Sequence, residues 1–340
     1  MSTPGVDPVA IEAWLSDRVR VDGPLTLHRV GLGQSNLTYR IADDSGHTWV
    51  LRRPPLGQLL ESAHDVAREA RILSALGASA VPVPGVLGTL VPGSVGDDVP
   101  AFVMEWVDGV VVDRMMVAEG LSKHRRRAIG TSLAHTLAQI HAVDISAVGL
   151  DDLASRKPYA PRQLRRWSAQ WEQSRTRDLP ALERLTQRLE SAVPAREELS
   201  LVHGDFHVRN VITDSTGVVV SVLDWELSTL GEPLADLGTL LAYWPEPGEE
   251  GLDEFVPSTL PGFPSRSDLV DEYADASGRD LGSLGFWHAL GLWKLAIIAE
   301  GVLRRALDEP LNRAPEGTPE PEKIAGLVDR AHAVADEAGL

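Results

Sequence analysis

Leu201-Val-His-Gly-Asp-Phe-His-Val-Arg-Asn-Val-Ile212, followed by the apolar run Val218-Val-Val-Ser-Val-Leu223 and then Asp224-Trp-Glu226, is the stretch on which the reading of this 340-residue chain turns. It places an acid, Asp205, in a tight turn with an amide, Asn210, five residues later. A short apolar strand then delivers a second acid, Asp224, at its end. One carboxylate to orient a hydroxyl, with an amide oxygen and a second carboxylate to hold Mg²⁺, is what phosphoryl transfer requires. The barrier in such chemistry falls mainly through positioning and neutralisation of charge. Asp after Gly is also common in plain turns, so Asp205 alone carries little; its spacing to Asn210 and Asp224 carries the reading.

The order acid, Asn, acid is that of a protein-kinase catalytic loop and its metal-binding Asp. His203-Gly-Asp-Phe-His-Val-Arg-Asn210 with Leu223-Asp-Trp-Glu-Leu-Ser-Thr-Leu-Gly-Glu-Pro-Leu-Ala-Asp-Leu-Gly238 resembles the aminoglycoside phosphotransferase family of small-molecule kinases. The second segment is most similar to the subgroup related to the kinase domain fused to some acyl-CoA dehydrogenases. The resemblance, over roughly residues 25–310, implies an α+β, protein-kinase-like bilobal fold with a small β-rich N-lobe and a large, mostly helical C-lobe. The lobe boundary is expected at the exit of a hinge strand, with residues 1–106 as the nucleotide-binding lobe and 107–340 carrying the catalytic loop and acceptor site. It implies Asp205 as the catalytic residue, Asn210 and Asp224 as Mg²⁺ ligands, and ATP, or GTP, as the donor. His203 then braces the backbone, and Asp236 holds the catalytic turn without touching substrate.

The N-terminal half carries the matching parts. Leu25 to Val30 and Leu37 to Ile41 read as strands around Gly31-Leu-Gly-Gln-Ser-Asn36, a hairpin whose glycines let backbone amides approach phosphates. Gly31, Gly33, Ser35 and Asn36 are the expected phosphate contacts. A third strand, His47 to Arg53, is where a kinase places its phosphate-binding lysine, yet no lysine precedes Lys123. Strand alternation puts Val50 and Arg52 on one face, so Val50 would touch the base and Arg52 the phosphates. An arginine binds phosphate as a planar fork and is not a neutral swap for lysine. Glu61 to Leu76 is helical in pattern and offers Asp65 and Glu69 as partners for that cation; the resemblance selects Glu69. Ala101 to Trp106 resembles the hinge strand, implying that the backbone of Glu105 to Val107 pairs with the adenine edge.

Composition narrows the rest. Hydrophobic content of 43% and charged content of 24% are those of a soluble globular protein. There is no cysteine, which excludes disulfides, thiolate metal sites and cysteine nucleophiles. Met1 to Pro8 lacks the basic and apolar blocks of a signal peptide, and Ala289 to Leu303, broken by Lys294 and Glu300, reads as too short for a membrane span. A cytoplasmic protein without a membrane or nucleic-acid partner is the expectation, since a formal charge of −17 repels a phosphate backbone. From Glu226 onward there are 22 acidic and 8 basic residues, a surface that suits a cationic acceptor. The basic stretch Arg156 to Arg177, with Arg162, Arg165 and Arg166, suits an anionic acceptor such as an acyl-CoA. The family segment favours a hydroxyacyl compound or another metabolic alcohol as the acceptor. Tyr243, Trp244, Trp287, His288 and Trp293 are candidate acceptor-pocket residues, although aromatics at helical spacing are more often core.

Two other classes fit parts of the pattern. His203-x-Asp205-x-His207 on a strand would aim three metal ligands one way, as in a metallohydrolase, but Gly204 interrupts such a strand. A catalytically silent nucleotide-binding module would account for Arg52 standing where lysine is usual.

Overall fold

In the computed structural model, which describes residues 6–30, 36–55, 65–91, 93, 99–153, 157–195, 198–249, 252–309 and 318–340, the chain divides into two compact units. The first comprises residues 1–108 with Val220–Glu226, and the second Gly109–Val219 with Leu227–Leu340. The first unit is therefore not one continuous stretch. The returning segment belongs to it because Val222 N–H donates to Pro82 O at 2.8 Å and Asp224 and Glu226 bond to its side chains.

Helix α1 (Pro8–Ser16) opens the first unit, capped by Asp7. Strands β1 (Thr26–Val30), β2 (Leu37–Ala42) and β3 (Thr48–Arg53) form an antiparallel meander. After helix α2 (Val66–Leu76), β4 (Val86–Leu90) and β5 (Ala101–Glu105) complete a five-stranded sheet in the order β1-β2-β3-β5-β4. Alternation along β2, β3 and β5 sends Tyr39, Ile41, Trp49, Leu51 and Val103 into one apolar cluster with Ile11 and Leu15 of α1. Val50, opposite Met104, and Arg52, opposite Phe102, take the other face. Gly31, Gly33 and Ser35 lie outside the described residues.

The second unit is helical around short strands. It contains α3 (Met115–Glu119), α4 (Lys123–His141), α5 (Tyr159–Ser174) and α6 (Pro180–Ser191). Next come β6 (Ser200–Val202) and β7 (Val211–Thr213), then β8 (Val219–Val222), which leads the chain into the first unit, and β9 (Thr229–Gly231). The last helices are α7 (Pro233–Ala242), α8 (Arg266–Ser277), α9 (Leu284–Asp308) and α10 (Pro321–Glu337). Helix α9 is longer than the apolar run within it, at 25 residues, and it alone among the described helices is long and apolar enough to cross a membrane. Its apolarity has a packing cause: Phe286, Trp287, Leu292, Trp293, Leu295 and Ile297 are all buried. Helices α7 and α9 cross where neither tolerates a side chain. A Cβ on Gly238 would stand 2.3 Å from Trp287 O, and one on Gly291 2.7 Å from Gly238 O.

Candidate active site

In the second unit, β6 runs antiparallel to β9 and releases the chain into the turn His203-Gly204-Asp205. Gly204 has φ +86°, and a Cβ there would stand 2.6 Å from Leu227 O, so both conformation and space require glycine. Asp236, in the first turn of α7, accepts from the His203 N–H at 2.5 Å and the Gly204 N–H at 2.8 Å. His141 Nε2 lies 3.4 Å from the same carboxylate, while its Nδ1 is 2.7 Å from the Tyr273 hydroxyl. Burial pushes His141 below its ordinary pKa against the pull of Asp236, so the neutral ring donates from Nε2 and accepts at Nδ1.

Asp205 emerges from this clamp with a part-exposed carboxylate. The 3₁₀ turn Val208–Asn210 brings Asn210 back against it. The Asn210 Nδ2 donates to Asp205 O at 2.9 Å and lies 3.3 Å from Asp205 Oδ2. Its donors thus face Asp205, which leaves the amide oxygen as the atom a hard cation would use. Burial works to raise the Asp205 carboxyl, but His207, Lys294 and His203 outweigh it and hold it well below the usual carboxylate range. Such a group is an orienting anion at neutral pH and a poor store for a proton.

His203 Nδ1 is turned to the Asp205 N–H at 3.3 Å, while His207 Nε2 sits 3.4 Å from Asp205 Oδ2. Among the described residues, these three do not form a group with ligand atoms close enough to share an ion. The metallohydrolase alternative loses its geometry for that reason. The group that does meet this distance test is Asp22, Asp43 and His47. Both Asp43 oxygens are already occupied there, by the N–H groups of Asp22, Ser45 and His47 and by His47 Nδ1. That carboxylate fastens the loop joining β2 to β3.

Sequence reading missed Lys294, whose Nζ donates to Gly204 O at 2.7 Å. The available signal was a lysine inside the apolar run Ala289 to Leu303, which Glu300 also interrupts. Arg209 was also passed over; its guanidinium lies 5.3 Å from the Phe255 ring centre, and it interacts with Asp205. Tyr243 stacks edge-on against His207 at 4.7 Å, whereas Trp244 and Trp293 are core residues tied to Pro264 O and Thr186 Oγ1. Trp287 is buried among them, and burial with Arg266 and Arg330 lowers His288 to about 3. Of the arginines on α5, Arg162 donates to Leu230 O, and Arg165 and Arg166 are exposed.

The first unit holds a separate charged cluster. Arg52 Nε donates to Glu69 Oε2 at 2.7 Å, and its Nη2 lies 2.5 Å from Asp224 Oδ1. Asp65 takes no part. It caps α2 by accepting from the Arg68 N–H, one turn before Glu69, and Glu69 points at the sheet from inside the helix. Asp224 follows β8 in a left-handed conformation, φ +64°, which Asp tolerates better than most residues. Glu226 accepts from Asn36 Nδ2 at 3.0 Å. Burial pushes Glu69 up to about 7 against Arg52, with Asp224 and Glu226 adding to the rise. Arg68 joins the cluster as a second guanidinium, its Nη1 3.3 Å from Glu226 O, and Asp224 is 34% exposed at its side chain. The part-exposed carboxylate of Asp224 is a hard oxygen donor of the kind that suits a divalent cation such as Mg²⁺. At the end of β5 the Glu105 N–H is taken by Gly85 O at 2.8 Å, and Val107 follows part-buried.

The chain is similar to known proteins over most of its length. The sequence profile described as the phosphotransferase enzyme family matches residues 26–281. Acyl-CoA dehydrogenase family member 10 of Mus musculus is 37% identical over 303 residues, covering 84% of this chain and 27% of that protein. Family member 11 of Homo sapiens is 33% identical over 321 residues, covering 88% and 40%. The chain thus spans well under half the length of these relatives. A solved structure from Ralstonia eutropha JMP134, named for the aminoglycoside phosphotransferases, superimposes with TM-score 0.75 at 29% identity over 98% of this chain and 97% of that one. A thermostable mutant of aminoglycoside phosphotransferase APH(4)-Ia, in ternary complex with AMP-PNP and hygromycin B, shares the fold at TM-score 0.63 and 18% identity, over 97% and 99%.

Proposed function

Since the chain belongs to the phosphotransferase enzyme family, with its α+β, protein-kinase-like fold, we propose that it moves the γ-phosphate of ATP to a hydroxyl of a small molecule. The carrying observation is the clamped turn that presents Asp205 as a permanent carboxylate with Asn210 against it. Asp205 orients the acceptor hydroxyl, and the forming O–P bond makes that proton acidic enough to leave. Arg52, tethered by Glu69, binds the phosphate tail, with Asn36 and the glycine-containing sequence 31–35 supporting it. Val50 meets the base, whose edge pairs with the backbone of Glu105 to Val107. Nucleotide complexes of structural neighbours, one with AMP-PNP and one with ADP, support this donor class. Asn210 and Asp224 would hold Mg²⁺, which when bound neutralises phosphate charge.

The acceptor is a metabolic alcohol, a hydroxyacyl compound by preference. Lys294 and Arg209 both interact with Asp205, and a polycationic acceptor such as an aminoglycoside would meet their repulsion. The acyl-CoA dehydrogenase names of the relatives favour the same class. A panel of hydroxylated compounds coupled to ADP release tests the reading. Asp205→Ala should lower turnover about 10²- to 10⁴-fold, the range for a positioned carboxylate, with nucleotide affinity kept. Full turnover in that variant would remove the assignment.

A further inference from the structure

A lysine in the middle of an apolar helix gives up hydration that its aliphatic neighbours cannot replace. Lys294 holds such a place on α9, part-buried, three residues after the Gly291 crossing with α7. That crossing leaves no room for α9 to slide or rotate, so the lysine stem starts from a fixed point. Its Nζ donates to Gly204 O at 2.7 Å and lies 5.4 Å from the centre of the Trp167 ring on α5.

The catalytic turn is therefore gripped on two sides. Asp236 takes its amides at His203 and Gly204, and Lys294 takes the Gly204 carbonyl, which belongs to the peptide leading into Asp205. The N–H of that peptide meets His203 Nδ1 at 3.3 Å, a long contact, and fixing its oxygen as well sets the direction of the next Cα–Cβ bond. A charged donor makes a stronger grip than a neutral one.

We propose that Lys294 is a positioning residue of the catalytic turn, aiming the Asp205 carboxylate through the Gly204 carbonyl. The proposal rests on the reading of Asp205 as the residue that orients the acceptor hydroxyl. It explains why a cation stands in the mostly buried part of α9, where α5, α9 and the turn meet. Burial brings the Lys294 ammonium below its ordinary pKa, against the pull of Asp205 and Asp236.

The test uses the full chain with Lys294→Met and Lys294→Arg, measuring ADP release, KM for ATP, thermal midpoint and amide exchange over residues 203–206. Lys294→Met is expected to lower kcat about tenfold to a hundredfold, the loss of one charge-assisted hydrogen bond, with KM for ATP within about twofold. Lys294→Arg, which keeps a charged donor, should recover at least about fivefold of that loss. A Lys294→Met kcat within about twofold of the parent, an arginine variant no better than the methionine one, or a loss confined to KM would each overturn it. Should Lys294→Met not fold, Lys294→Gln takes its place with the same limits. Failure of the functional reading shows separately, as a parent chain that releases ADP no faster than Asp205→Ala. In that case exchange alone decides: amides of 203–206 should exchange about tenfold faster in Lys294→Met with the five-stranded sheet unchanged, and equal protection overturns the proposal.

Discussion

Arg52 bridges two carboxylates that are 155 positions apart in the sequence, giving its Nε to Glu69 and its Nη2 to Asp224. A lysine at this place would offer one ammonium and could not span both with planar donors. The arginine also couples α2 to the segment after β8, so the orientation of Asp224 depends on a residue of β3.

Arg52→Lys is accordingly expected to keep the fold and raise the KM for ATP about tenfold, the worth of one charge-assisted hydrogen bond. Arg52→Met should cost more, because Glu69 and Asp224 are then left facing each other without a cation. Isothermal titration with a non-hydrolysable ATP analogue checks both, and unchanged affinity in the methionine variant would remove Arg52 from the nucleotide site.

Gly204→Ala meets two obstacles together, a left-handed φ and the Leu227 carbonyl 2.6 Å from the new methyl carbon. A loss of roughly 2–4 kcal/mol in unfolding free energy is expected. Chemical denaturation measures it, and a loss under about 1 kcal/mol would mean that the turn relaxes.

Asp236→Asn keeps the shape of the side chain but replaces one amide acceptor with a donor facing an N–H. The two bonds to His203 and Gly204 cannot both survive, so a destabilisation of about 2–3 kcal/mol is expected, with turnover falling further than stability. Parallel measurement of thermal midpoint and kcat tests this, and a turnover loss that only follows the unfolded fraction would refute the link to Asp205.

His288 gives the pH prediction. Burial, then Arg266 and Arg330, hold its folded pKa down to about 3, against an unfolded value near 6.5. The unfolded chain therefore binds a proton that the folded chain refuses between those limits. The His288 contribution to stability is complete above pH 6.5 and should fall by about 1.4 kcal/mol for each unit below it, until the folded ring titrates near 3. His288→Gln should flatten that slope in urea unfolding at pH 5, 6 and 7; an identical slope in both proteins would exclude His288 as the source.

Much of the architecture was legible because it rests on local rules. Alternation in β3 placed Val50 and Arg52 together on the face opposite Trp49 and Leu51. The helical pattern from Glu61 to Leu76 corresponds to α2, which starts at Val66 with Asp65 as its cap, while 61–64 lie outside the described residues. The motif around Asp205 named the turn, and the turn is held by Asp236.

The chain order by itself determined which residues are proposed to carry the chemistry: two acids and an amide at set spacing, and an arginine sharing a strand face with Val50. Only the tertiary structure decided what surrounds them. Lys294, Arg209 and the second carboxylate on Arg52 arrive from far along the chain, and spacing rules reach only as far as one helix turn or one strand pair. Charges that meet through packing change one another's protonation and aim, and that depends on distances which no linear pattern records.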